Sequence, residues 1–165
     1  MLSWRQTCSD FAMTGLGCQA LLALPLTAFF ASRQCPGSAI RTAMDWALEQ
    51  ARARRGVVSG FHSPLEQSVL RLLLEAHSPV VVVLARPIAG AQLKPVWKTA
   101  ITEGRMAVVS ASIESQRLTS ERATLRNDLV AQLAEAIVIA HASSNGGLAR
   151  QSELWMNKGF GVLNL

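Results

Sequence analysis

Short apolar runs alternating with amphipathic stretches of helical length predict a doubly wound α/β domain on a parallel sheet. Three observations carry this. Pro79 to Leu84 is a continuous β-branched run, as expected of a strand covered on both faces. The other short runs have apolar middles. Polar residues collect where those runs end, which is the edge where ligands bind in open α/β sheets. The expected architecture has about six strands in the order 3-2-1-4-5-6, with helices on both faces.

Residues 1–23 read as an N-terminal helical extension, with a helix over Gly17 to Ala23, and 24–165 as the domain proper. Leu26 to Ala31 is the first strand. Cys35-Pro36-Gly37-Ser38 is turn chemistry, with Ser38 as cap of a helix over Ala39 to Arg54. The second strand is Gly56 to Ser59. Ser63, Pro64 and Glu66 then form a capping box with proline at the first helical position, opening a helix to Ala76. The third strand leads through a loop and a short helix, about Pro95 to Glu103, to the fourth, Met106 to Ser110. A polar loop from Ala111 to Leu118, carrying Arg117, precedes a helix from about Ser120 to Ala134, with Thr119 or Ser120 as its cap. Ala136 to Ala140 is the fifth strand, Leu148 to Asn157 a helix and Phe160 to Leu165 the sixth strand.

With 165 residues, half of them hydrophobic and 16% charged, the chain can bury a substantial core and is not a disordered tail. Its formal net charge is +5, and outside Lys94, Lys98 and Lys158 the positive charge is arginine, the residue suited to bidentate phosphate recognition. Cys8, Cys18 and Cys35 are odd in number and show no metal spacing with His62, His77 or His141. Reduced thiols in a cytoplasmic protein, with no metal and no cofactor, are expected. The apolar stretch Leu16 to Ala31 is short for a membrane span and contains Pro25, so no membrane partner is expected.

The strand ends gather Ser32 and Arg33, Ser59 to Ser63, Arg86, Ser110, and His141 through Gly147. Gly60 permits a sharp strand-to-helix turn and close approach to its backbone, and the helix start after it suits an anion. Phosphate is expected on the backbone N–H groups near Gly60, Phe61, His62 and Ser63, with Arg33 as counter-charge. Phe61 is the aromatic placed to stack on a base. On the later helix, Leu125, Leu129 and Leu133 form a buried stripe beside Arg126, which has no carboxylate three or four positions away.

Ala31-Ser32-Arg33, Val57-Val58-Ser59-Gly60, Leu125-Arg126-Asn127 and Gly146-Gly147-Leu148 stand in the order of the signatures of the DNA-processing protein A (DprA/Smf) family, which this chain resembles from about Leu24 to Leu165. In that family they read Gly-Ser-Arg, Ser-Gly, Arg-Arg-Asn and Gly-Ser-Leu. The resemblance implies a Rossmann-like domain of the superfamily that also holds the Lonely Guy phosphoribohydrolases. It implies single-stranded DNA or a nucleotide phosphate in the crevice, held by Ser32, Arg33, Ser59 to Ser63, Arg86, Arg126, Asn127, His141, Gly146 and Gly147. The family's Ser-Gly-x-Ala-x-Gly-Ile-Asp is replaced by Ser59 to Glu66, and neither its winged-helix tail nor its full N-terminal helical domain is expected here. The alternative is nucleotide cleavage of the Lonely Guy type. There Gly146-Gly147 and Glu153 match a Gly-Gly-x-Gly-Thr-x-x-Glu motif, with Arg126 and Glu153 as catalytic residues and Ala149 and Arg150 departing from it. A homodimer is compatible with either reading.

Overall fold

The computed structural model describes residues 3–111 and 120–165. The expected loop from Ala111 to Leu118, beyond Ala111 itself, and the Thr119 cap lie outside the described residues. The elements are β1 (Ser3–Cys8), β2 (Phe11–Gly17), a short 3-10 helix (Gln19–Ala23), β3 (Thr27–Ala31), α1 (Gly37–Arg52), β4 (Val57–Ser59), α2 (Pro64–Glu75), β5 (Val80–Leu84), α3 (Pro95–Thr102), β6 (Met106–Ser110), α4 (Ser120–Leu133), β7 (Ala136–His141), α5 (Gly147–Asn157) and β8 (Val162–Asn164).

One eight-stranded sheet runs β1-β2-β6-β5-β4-β3-β7-β8. The strands from β3 to β8 are parallel, while β1 pairs with β2, and β2 with β6, antiparallel. Two expectations are corrected. In place of an N-terminal helix, residues Ser3 to Gly17 form a hairpin that extends the sheet, and only the 3-10 turn keeps part of the helical reading. The fourth predicted strand, β6, lies beside β5 and not beside β3. Its connection, α3, lies on the same face as α1 and α2, so each βα unit from β3 to β6 adds its strand one place further outward. The chain crosses back only through α4, on the opposite face, to lay β7 against the other side of β3. The point where the strand order reverses is therefore between β3 and β7, still beside the first predicted strand.

Strand alternation divides the core in two. Phe29, Val57, Val80, Val82, Met106 and Val108 pack under α1, α2 and α3. Phe30, Val58, Val81, Val83, Val109 and Ile139 pack under α4 and α5. Each face has an aromatic pair: Phe29 stacks on Trp46 with centroids 5.1 Å apart, and Phe30 meets Trp155 at 4.8 Å. Helix α1 starts earlier than expected, with Pro36 at the cap position and Ser38 inside the first turn. None of the helices among the described residues is long and apolar enough to cross a membrane.

Candidate functional site

The register of β3 against β7 shifts between Phe30 and Ala31, so Ala31 pairs with His141. Such a bulge takes a backbone group out of the regular ladder. The Ala31 N–H instead donates to Glu66 Oε2 at 2.9 Å, and Ser32 N–H to the His141 carbonyl at 2.9 Å. Ser32 Oγ in turn accepts from the Ser143 N–H at 2.8 Å, which closes the β7 turn over the end of β3.

The expected capping box is present: Ser63 Oγ accepts from the Glu66 N–H, and Glu66 Oε1 accepts from the N–H groups of His62 and Ser63 at 2.9 and 3.3 Å. Glu66 is 7% exposed and thus joins three backbone donors from two segments. This corrects the expected anion position. Donors read as free in the Gly60 to Ser63 turn already hold a carboxylate, and the Phe61 N–H donates to Ser59 Oγ at 3.0 Å. Ser59 is fully buried and shapes the turn from within. Phe61 is 5% exposed with φ 47°, so its ring packs in the core and offers no open stacking face, although it borders the larger cavity between α2 and α3.

The cation at the centre is Arg126. A Cβ on Gly60 would stand 2.7 Å from Arg126 Nε and 2.8 Å from Cδ, so the arginine lies directly over the glycine backbone. Asn127 Oδ1 accepts from both Nε and Nη2 of Arg126 at 3.2 Å. Asn127 Nδ2 donates to Gln151 Oε1 at 3.2 Å, and Gln151 Nε2 donates to the Thr124 carbonyl and to Asp128 Oδ1. Asp128 Oδ1 also accepts from Trp155 Nε1 at 2.9 Å. This chain of polar contacts ties α4 to α5 and holds the guanidinium in place. Burial lowers the Arg126 pKa and the neighbouring Glu66 carboxylate partly offsets that; arginine keeps its charge at neutral pH. Among the described residues no carboxylate oxygen lies within 4.0 Å of the guanidinium.

Two cavities meet at Arg126 and His62. The smaller, of 180 Å³, is lined by Ser32, Arg33, Ser63, Glu66, Asn127 and Leu148 besides those two. The larger, of 560 Å³, runs between α2 and α3 and contains Gly60 and Arg86 in its wall. The structure thus brings together Ser32, Arg33, Gly60, His62, Ser63, Arg126 and Asn127. Arg86 stands in the larger cavity away from Ser32. His141 contributes its backbone carbonyl to the β3 end, and neither its side chain nor Gly146 and Gly147 lines either cavity. Glu153 is exposed and lines neither. Gln151 and Asp128, which position Asn127 and anchor α5, are missing from the sequence reading because their contacts span 23 to 27 residues.

The sequence matches the family profile described as DNA recombination-mediator protein A over residues 9–163. Among solved structures, DNA processing protein A from Helicobacter pylori superposes with a TM-score of 0.79 at 16% identity, covering 99% of this chain and 79% of that one; its structure concerns a single-stranded DNA binding mode. DNA processing protein A from Streptococcus pneumoniae gives 0.76 at 19% identity, covering 93% of this chain. This chain spans 54% of the pneumococcal protein. The molybdenum cofactor carrier protein of Chlamydomonas reinhardtii gives 0.57 at 12% identity over 86% of this chain and 76% of its own, a likeness of fold. A search of curated proteins by sequence finds no match. The family profile runs from the β1–β2 turn to the last strand, through every segment that builds the Arg126 crevice. This chain belongs to the DNA recombination-mediator protein A family.

Proposed function

We propose that this domain binds single-stranded DNA through its phosphates in the crevice at the β3–β7 switch point. The observation that carries the proposal is the half-buried Arg126 guanidinium, oriented by Asn127 and without a carboxylate partner among the described residues. Desolvating a cation is costly unless a counter-charge arrives, and a phosphate is the counter-charge that a planar guanidinium matches best. Arg33, exposed at the mouth of the same cavity, supplies a second positive charge. The Ser32 hydroxyl, accepting from Ser143, can still donate to a phosphate oxygen.

Family membership and the single-stranded DNA named for the Helicobacter pylori relative point to nucleic acid ahead of a free nucleotide. Cleavage of a nucleotide needs a carboxylate near the sugar. Glu153, the residue in register for that role, stands exposed outside both cavities, which favours binding over hydrolysis. A DNA-processing role follows from this reading.

The test is fluorescence anisotropy of a labelled oligothymidylate, with nucleoside monophosphates as competitors. Arg126→Ala is expected to weaken oligonucleotide binding by about tenfold or more, the loss of a charge-assisted hydrogen bond of about 1.5–3 kcal/mol. Unchanged affinity in that variant removes the crevice from the reading. Release of free base from a monophosphate, abolished by Glu153→Gln, would establish the hydrolase alternative instead.

A further inference from the structure

We infer that the 560 Å³ cavity between α2 and α3 is a base subsite, which takes an unpaired base of the strand whose phosphate lies at Arg126; the inference rests on the single-stranded DNA reading. The cavity shares Arg126 and His62 with the smaller one, so the two lie side by side at the guanidinium. Its charge is one-sided: Arg71, Arg86 and Lys94 line it with Arg126, against the single carboxylate of Glu75. Among the described residues none of those cations has a carboxylate oxygen within 4.0 Å. Phosphate alone would not explain the remainder of the lining, which apart from His62 and Gln67 is apolar. Leu74 from α2 and Val96 and Trp97 from α3 contribute to it, and Val96 is 52% exposed.

An apolar floor carrying a half-buried indole inside a cationic rim is the arrangement that single-strand binders use: the rim follows the backbone and the aromatic accepts a base face. A free inorganic anion would leave Leu74, Val96 and Trp97 without a role, and an apolar metabolite would leave the cations without one. An unpaired base with its phosphate uses both. Trp97, half-buried, offers this cavity more open ring surface than Phe61, which borders it but is 5% exposed.

The experiment compares oligothymidylate with an abasic oligomer of equal length and charge, by anisotropy, on the wild type and three variants. The wild type is expected to bind the base-bearing strand about tenfold more tightly, as base–aromatic stacking supplies. Trp97→Leu is expected to abolish that preference while leaving affinity for the abasic strand unchanged. Val96→Glu, at an exposed position, should weaken binding of both strands by several-fold at an unchanged thermal midpoint. Arg126→Ala should weaken both strands by a similar factor and keep the preference. Equal binding of the two strands by the wild type, or a preference that survives Trp97→Leu, overturns the base subsite and leaves the phosphate reading standing. Failure of the wild type to bind either strand overturns both.

Discussion

Gly60 and Arg126 occupy a single space between them, so a change at either residue is felt at the other. In Gly60→Ala the new methyl would stand 2.7 Å from Arg126 Nε, and the neighbour that must move is a flexible side chain, not backbone. We predict a folded protein, its thermal midpoint within a few degrees of wild type, whose oligonucleotide affinity falls as it does in Arg126→Ala; wild-type affinity would show that the guanidinium's position over Gly60 is immaterial. Glu66→Ala removes the acceptor from the N–H groups of Ala31, His62 and Ser63. Leaving buried donors unsatisfied costs about 1–3 kcal/mol each before relaxation, and we expect a loss of about 3 kcal/mol in urea unfolding. Burial and, secondarily, the Glu66 carboxylate raise the Cys35 pKa. Removing that negative charge in Glu66→Gln lowers it, so more thiolate is present at any pH below the thiol's range and alkylation by iodoacetamide at pH 8 should be faster than in wild type. The Ser63–Glu66 box was legible because its partners are three residues apart. The link from Glu66 to Ala31 was not, because it depends on a bulge 35 residues away.

The N-terminal hairpin and α4 show where element-level reading departs from the fold. Cys8 pairs with Phe11, so Ser9 and Asp10 alone make the turn, and Ser9 has φ 49°. Hairpin turns of this length place glycine or asparagine at positive φ, and serine there gives no signal. Gly15 and Gly17 further obscure the alternation of β2. Gly15 has a packing reason, since a Cβ there would stand 2.3 Å from the Trp4 ring, whose Nε1 donates to the Gly17 carbonyl at 3.1 Å. Gly15→Ala should therefore expel the indole, cost about 1–3 kcal/mol as overpacking does, and speed amide exchange in β1 and β2 ahead of the parallel strands. Uniform exchange in the variant would contradict that. In α4 the expected stripe began at Leu125, which is 42% exposed, whereas Leu129, Val130 and Ala131 are buried. The first half of the helix overhangs the strand ends, so its inward face is the polar pair Arg126 and Asn127. A periodicity argument assigns inward positions to leucine, and a crevice lined by polar side chains reverses that locally.

At the scale of the whole molecule, the parallel part of the sheet, its two covered faces and the polar edge at its strand ends follow from the run-and-helix pattern, because continuous β-branched runs must be covered on both sides. Strand order was not legible, since whether β6 lies beside β5 or beside β3 depends on which face carries α3, and an eight-residue helix leaves little pattern from which to decide. The site escaped that error because either order reverses direction beside β3, where Ser32, Arg33, Arg126 and Asn127 meet. The central claim is that Arg126 neutralises a phosphate of a single strand, and counterion release makes it measurable. Plotting log affinity for oligothymidylate against log salt from low to physiological ionic strength should give a negative slope of about 0.7 per phosphate neutralised. Arg126→Ala should weaken binding and make that slope shallower by about 0.7, one phosphate's worth. A wild-type affinity that does not change with salt, or an Arg126→Ala slope equal to the wild-type slope, would contradict the account.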